Sequence, residues 1–179
     1  MAPGKVSAVA GALLAFCGAT AQAGELLADL NGDPVPGSSN PQCLMPVGQL
    51  ILFCADDGIH GLELWTTDGT PGGTRMLKDI FPGPGSSQPQ HFVAVGSRVF
   101  FVADDGTNGW EIWVTDGTPA GTHIVVEMTP GGSEPTNQWL RLMYEWNGQL
   151  VFRYMRPPIV PAQLWRTDGT AQGTMPMTN

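Results

Sequence analysis

Glu63-Leu-Trp-Thr-Thr-Asp-Gly-Thr-Pro-Gly-Gly-Thr74 returns as Glu111-Ile-Trp-Val-Thr-Asp-Gly-Thr-Pro-Ala-Gly-Thr122, and again as Gln163-Leu-Trp-Arg-Thr-Asp-Gly-Thr-Ala-Gln-Gly-Thr174. The tryptophans at its centre, Trp65, Trp113 and Trp165, are 48 and 52 residues apart. Self-similarity near 50 residues marks one supersecondary unit copied in tandem, and propeller blades have periods of about that length. Upstream, Pro36-Gly-Ser-Ser-Asn-Pro41 matches Pro84-Gly-Ser-Ser-Gln-Pro89 and, more loosely, Pro130-Gly-Gly-Ser-Glu-Pro135. Phe53-Cys-Ala-Asp-Asp-Gly58 matches Phe101-Val-Ala-Asp-Asp-Gly106, and the third copy keeps only Phe152 of that run.

Each unit carries four short apolar segments between turn formers. In the second copy these are Arg75–Ile80, His91–Val95, Arg98–Ala103 and Trp110–Thr115, rich in β-branched or aromatic residues and ended by Gly, Pro or Asp. A helical period is absent apart from a weak stretch near 138–145. The expectation is an all-β chain of β-propeller-like tandem blades, each of four antiparallel strands, with three blades and an incomplete ring. The organisation read from the repeat is a signal peptide over 1–23, a first blade over 24–74, a second over 75–122, and an irregular third over 123–179 that includes the start of a next unit.

Asn147-Gly148 predicts a two-residue hairpin turn between the second and third segments, aligned with Gly48-Gln49 and Gly96-Ser97. With the turn at 48 and 49, Cys43 falls directly opposite Cys54, and a cross-strand disulfide between them is expected.

The repeated letters read first as structure. Asp68, Asp116 and Asp168 cap turns with their carboxylates and the following Gly takes φ > 0, the rival reading being a repeated cation or ligand site. Trp65, Trp113 and Trp165 pack between sheets, the rival being an aromatic platform. Trp110, Trp139 and Trp146 do not recur and are the candidates for an exposed binding face. Asp56-Asp57 and Asp104-Asp105 end strands before Gly, and the alternative reading makes them oxygen ligands for calcium in the first two units. No other cofactor is implied. His60, His91 and His123 fall at three different repeat positions, and no zincin, nucleophile-elbow or phosphate-loop motif is present.

Lys5, the small apolar run Val9–Phe16 and Ala21-Gln22-Ala23 have the form of a cleaved export signal, which places the mature chain outside the cytoplasm, at the cell surface or in a periplasm. The run is about 10 residues long where a membrane span needs about 20, so no membrane span is expected. After cleavage, seven basic residues stand against sixteen acidic ones, a net charge of −9 without runs. That charge disfavours nucleic acid and anionic membranes, which need clustered Lys and Arg.

Repeated over residues 26–174, twice in full and a third time in part, the Pro-Gly-Ser-Ser, Phe-x-Ala-Asp-Asp-Gly and Glu-Leu-Trp-x-x-Asp-Gly-Thr segments make the chain resemble the ELWxxDGT repeat proteins of bacteria. The resemblance implies a secreted, propeller-like β fold and carries no activity or binding residue with it. The third copy departs from the pattern through Pro157-Pro158, Pro161 and about five extra residues around 138–144. Propellers use about 4–8 blades because closure buries the flank of every sheet. Three blades leave two flanks for a longer chain, a partner, or self-association to close the ring. The functional expectation is a non-catalytic binding or scaffolding module for protein or glycan. The alternatives are a propeller-type hydrolase or lyase on extracellular polysaccharide, and a calcium-stabilised structural repeat.

Overall fold

The fold comes from a computed structural model, which describes Leu30 and residues 38–128, 140–156 and 160–177. All twelve elements in these residues are strands. The first sheet holds β1 (Gln42–Val47), β2 (Leu50–Asp56), β3 (Leu62–Thr67) and β4 (Arg75–Lys78). The second holds β5 (Gln90–Val95), β6 (Arg98–Asp104), β7 (Trp110–Thr115) and β8 (His123–Val126). The third holds β9 (Leu140–Trp146), β10 (Gln149–Arg156), β11 (Val160–Thr167) and β12 (Met175–Pro176). Each sheet is an antiparallel meander in chain order. This is the propeller-like blade architecture, and the stretch with weak helical periodicity becomes strand β9.

The sheets are phased one strand later than the repeat boundaries at 74 and 122 suggest. Arg75–Lys78 pairs with β3 and completes the first sheet, so it is not the first strand of a second unit. Met175–Pro176 likewise pairs with β11 and completes the third sheet, so it is not the stub of a fourth. The Asp-Gly-Thr segment is therefore a hairpin loop inside each sheet. The link to the next sheet runs instead through Pro84–Pro89, which carries the Pro-Gly-Ser-Ser motif.

The inner hairpins turn at 48–49, 96–97 and 147–148, with Val47 opposite Leu50, Val95 opposite Arg98 and Trp146 opposite Gln149. Both residues of Asn147-Gly148 have positive φ, the requirement of a type I′ turn. Further out each of these hairpins slips by one residue at a bulge, where a non-glycine residue takes positive φ: Cys43 at 61°, His91 at 58° and Leu142 at 57°. The slip removes the expected disulfide. Gln42, not Cys43, pairs with Cys54, and both cysteines are free thiols.

The sheets pack face to face in sequence. Val47, Leu52, Leu64 and Leu77 of the first sheet meet Val99, Phe101, Ala103 and Trp113 of the second. The opposite face of the second sheet, with Val95, Phe100, Val102, Ile112 and Val114, meets Leu140, Met143, Leu150, Phe152 and Tyr154 of the third. The first strands of neighbouring sheets approach one another, β1 with β5 and β5 with β9, which puts them on the inner side of the arc. Among the described residues no core joins the third sheet back to the first, so the arc is open.

Candidate functional site

The Asp-Gly-Thr hairpin is one hydrogen-bonded object built three times. The Thr70, Thr118 and Thr170 amides and hydroxyls donate to Oδ1 of Asp68, Asp116 and Asp168 at 2.9 and 2.7 Å. Gly69, Gly117 and Gly169, at φ of 89–93°, donate to the hydroxyls of Thr67, Thr115 and Thr167 at 3.0 Å. The Thr74, Thr122 and Thr174 hydroxyls donate to the carbonyls of Thr70, Thr118 and Thr170. With their protons so used, the Thr74, Thr122 and Thr174 hydroxyl oxygens accept from the Thr67, Thr115 and Thr167 hydroxyls 2.7–2.8 Å away. The Thr hydroxyls and amides hold all three Asp carboxyls below the usual carboxylate range.

Two further repeat letters join the sheets. Glu63 lies wholly buried near the start of β3 and accepts from the amides of Ile80 (2.9 Å), Phe81 (3.4 Å) and Ser87 (2.9 Å) and from the Ser87 hydroxyl (2.7 Å). The Ser87 carbonyl in turn accepts from Asp104 N of β6. Glu63 thus fastens the inter-sheet linker to both of its neighbours. Burial pushes its pKa up, against the pull of these donors. Glu111 repeats the arrangement with the Met128 amide at 2.8 Å. In the third copy Gln163 stands in this place and accepts from the Trp165 indole at 3.3 Å. Trp65 and Trp113 are buried, and Trp165 packs against the core between the second and third sheets. The Trp65 indole donates to the Ala55 carbonyl at 3.0 Å, and Lys78 sits 5.8 Å above the Trp113 ring.

The paired acids are engaged in their own turns. Asp56 and Asp104 accept from Gly58 and Gly106. Asp105 accepts from Thr107 and Asn108 amides and the Asn108 side chain. Asp57 accepts from Ile59 and His60 amides and pairs with His60 Nδ1 at 2.7 Å. Burial raises the Asp57 pKa, but the His60 and Ile59 bonds outweigh it and the net shift is downward, while the same contact raises His60. Among the described residues no three His, Cys, Asp or Glu side chains converge to hold a metal ion.

Cys43 and Cys54 point at one acceptor, the Pro89 carbonyl, at 3.7 and 3.4 Å. The hydrogen bond from Cys54 lowers the Cys43 thiol to about 7, and the same bond together with burial raises Cys54. Iodoacetamide labelling of the folded protein is expected to modify one thiol with a midpoint near pH 7 and the second only on unfolding. Two thiols labelled only after reduction would contradict the free pair.

Of the three non-repeated tryptophans, Trp110 is 9% exposed and belongs to the core between the second and third sheets, not to a binding face. It shares one side of β7 with Ile112 and Val114, the side packed on the third sheet. Trp139 lies outside the described residues. Trp146 is 51% exposed and shares one side of β9 with Tyr144, exposed by 64%. Register shows what these two are. Tyr144 pairs with Val151 as Val93 pairs with Phe100, and Trp146 pairs with Gln149 as Val95 pairs with Arg98. Val93 and Val95 pack toward the third sheet, so Tyr144 and Trp146 lie on the equivalent open face of the third sheet itself. A shallow hollow of about 360 Å³ adjoins Tyr144 alone of the two, lined by His91, Phe92, Val93, Leu142, Met143 and Tyr144.

No protein-family model matches this chain, and no curated protein does. Two solved structures are similar to it. An acylaminoacyl peptidase from Pyrococcus horikoshii shares 14% identity at a TM-score of 0.46, over 75% of this chain and 19% of its own. An α-L-arabinofuranosidase from Clostridium thermocellum shares 15% identity at a TM-score of 0.34, over 78% of this chain and 50% of its own. The chain therefore spans a fifth to a half of the length of these neighbours. Among the described residues no helix is long and apolar enough to cross a membrane.

Proposed function

We propose that the chain is a non-catalytic, extracytoplasmic binding module of the ELWxxDGT repeat type, and that its contact surface is the open face of the third sheet. The observation that carries this reading is the exposure of Tyr144 and Trp146 at positions where the second sheet buries valines against its neighbour. Exposed aromatic side chains on a rigid strand present large contact area at low entropy cost, as binding surfaces require. The repeated acids support the same reading from the other side. Glu63 and Asp68, Asp116 and Asp168 accept hydrogen bonds from nearby main chain and hydroxyls, which gives them structural work in the sheets.

A glycan array probed with the purified protein and with Tyr144→Ala/Trp146→Ala tests this. The parent is expected to give discrete signals that fall about tenfold or more in the double variant, with an unchanged melting temperature, because both side chains are solvent-exposed. Signals that survive the double substitution place the binding surface elsewhere and end this reading.

A further inference from the structure

Resting on the binding reading above, we infer that the open face of the third sheet takes an anionic polysaccharide, with Arg153 and Arg166 as its carboxylate- or sulfate-binding groups and Tyr144 and Trp146 as its sugar platform. The register sets the argument. Phe152 opposes Trp165 as Phe101 opposes Trp113, so Val151, Arg153, Leu164 and Arg166 correspond to Phe100, Val102, Ile112 and Val114. Those four residues of the second sheet are buried against the third. The third sheet keeps the apolar character at two of the four positions and puts a guanidinium at each of the other two.

Tyr144, Val151, Arg166 and Met175 form one transverse row across all four strands. Arg153 is the diagonal neighbour of Arg166, a separation of about 7–8 Å between backbones. Arg166 donates to Gln149 Oε1 at 3.2 Å, and Gln149 is the cross-strand partner of Trp146. Met sulfur atoms are the other contacts of the two guanidinium groups. Among the described residues neither is found in an ion pair. In a chain with 16 acidic and 8 basic residues, two arginines with no carboxylate partner among the described residues, beside two exposed aromatics, are a site complementary to negative charge. Guanidinium forks match carboxylate and sulfate geometry, and flat aromatic faces suit the apolar faces of sugar rings.

Other occupants fit less well. An acidic peptide adds to a sheet through main-chain hydrogen bonds at an edge strand, whereas these side chains rise from a sheet face. A double-stranded nucleic acid, with one charge per about 1.7 Å, is held by many clustered Lys and Arg, and this face offers two arginines. A second copy would need to offer the flank of its first sheet, but Phe53 and Trp65 on that flank are already 7% exposed and covered by Leu30. Pressing that flank onto Arg153 and Arg166 would also bury two charges without partners.

Isothermal titration with polygalacturonate and with its fully methyl-esterified, neutral form tests the inference on the parent, on Arg153→Gln/Arg166→Gln and on Tyr144→Ala/Trp146→Ala. Expected are binding of the anionic polymer that weakens as salt rises, a loss of about tenfold or more on esterification, and a similar loss in each double variant at unchanged melting temperature. Equal affinity for both polymers, lost only in the Tyr/Trp variant, would overturn the anionic class and leave the binding face standing. No binding of either polymer by the folded parent would overturn the glycan. A concentration-dependent dimer abolished by the Arg double variant would overturn it in favour of a second copy.

Discussion

Glu63→Ala lowers the melting temperature by about 10 °C, which corresponds to a loss of about 4 kcal/mol in a chain of this length. The substitution deletes one carboxylate and strands the amides of Ile80, Phe81 and Ser87, with Ile80 and Ser87 themselves buried. A buried donor left without an acceptor costs about 1–3 kcal/mol, whereas the Ser87 hydroxyl keeps the Leu62 carbonyl at 3.3 Å as an alternative acceptor. Glu63→Gln keeps one acceptor oxygen and turns an amide NH2 toward the remaining donors, so it recovers part of the loss. The two variants also separate in pH dependence. Burial raises the Glu63 pKa in the folded state, so its contribution is full below the unfolded value of about 4.3 and declines as pH rises through the raised folded value. The capping aspartates run the opposite way, since their lowered pKa values give stability above about pH 3.9 that is lost on further acidification. Thermal melts across pH 4–7 should therefore show a downward slope in the parent that is shallower in Glu63→Gln, where the raised His60 alone still contributes it. Identical slopes would remove Glu63 from the account.

Adjacent glycines in the first hairpin are expected to respond in opposite ways. A Cβ on Gly73 would run into the Asp68 carboxylate that caps the turn, and the same collision recurs between Gly121 and Asp116 and between Gly173 and Asp168. A Cβ on Gly72 meets nothing within 4 Å. Gly73→Ala must displace the cap or the chain and is expected to lower the melting temperature by about 5 °C or more. Gly72→Ala is expected to leave it unchanged or raise it slightly, through a less flexible unfolded chain. The sequence already performs half of this experiment. Positions 72, 120 and 172 hold Gly, Ala and Gln, while 73, 121 and 173 hold Gly each time. Equal melting temperatures for the two variants, read by circular dichroism, would show that the carboxylate does not fix the glycine.

The four-stranded unit was legible in the sequence because turn formers punctuate β-branched runs at a period that no helix shares. Its phase was not. Thr-Asp-Gly-Thr-x-x-Gly-Thr has the composition of any exit turn, and only the pairing of Arg75–Lys78 with Leu62–Thr67 shows it to be internal to the sheet. The disulfide failed for a similar reason. A bulge normally announces itself by glycine, but here Cys43, His91 and Leu142 adopt positive φ without one, and the register slips unseen. The role of Glu63 was also hidden, since its partners are main-chain amides 17 to 24 residues away. The open face was half visible. Trp146 stood out as a tryptophan that does not recur, and Trp110 stood out equally although it is core. The replacement of Val102 and Val114 by Arg153 and Arg166 was in the letters throughout, but it acquires meaning only once Phe152 and Trp165 fix the third register.

The central claim is a division of labour: repeated letters hold each sheet and its linker, and the departures in the third sheet make the contact surface. Hydrogen exchange of the protein with and without polygalacturonate, read by peptide mass spectrometry, tests it most directly. The account predicts added protection confined to peptides covering β9, β10 and β11, with the Asp-Gly-Thr hairpins and linkers of the first two sheets unchanged. Protection centred on the first sheet, or on the 56–61 and 104–109 loops, would contradict it.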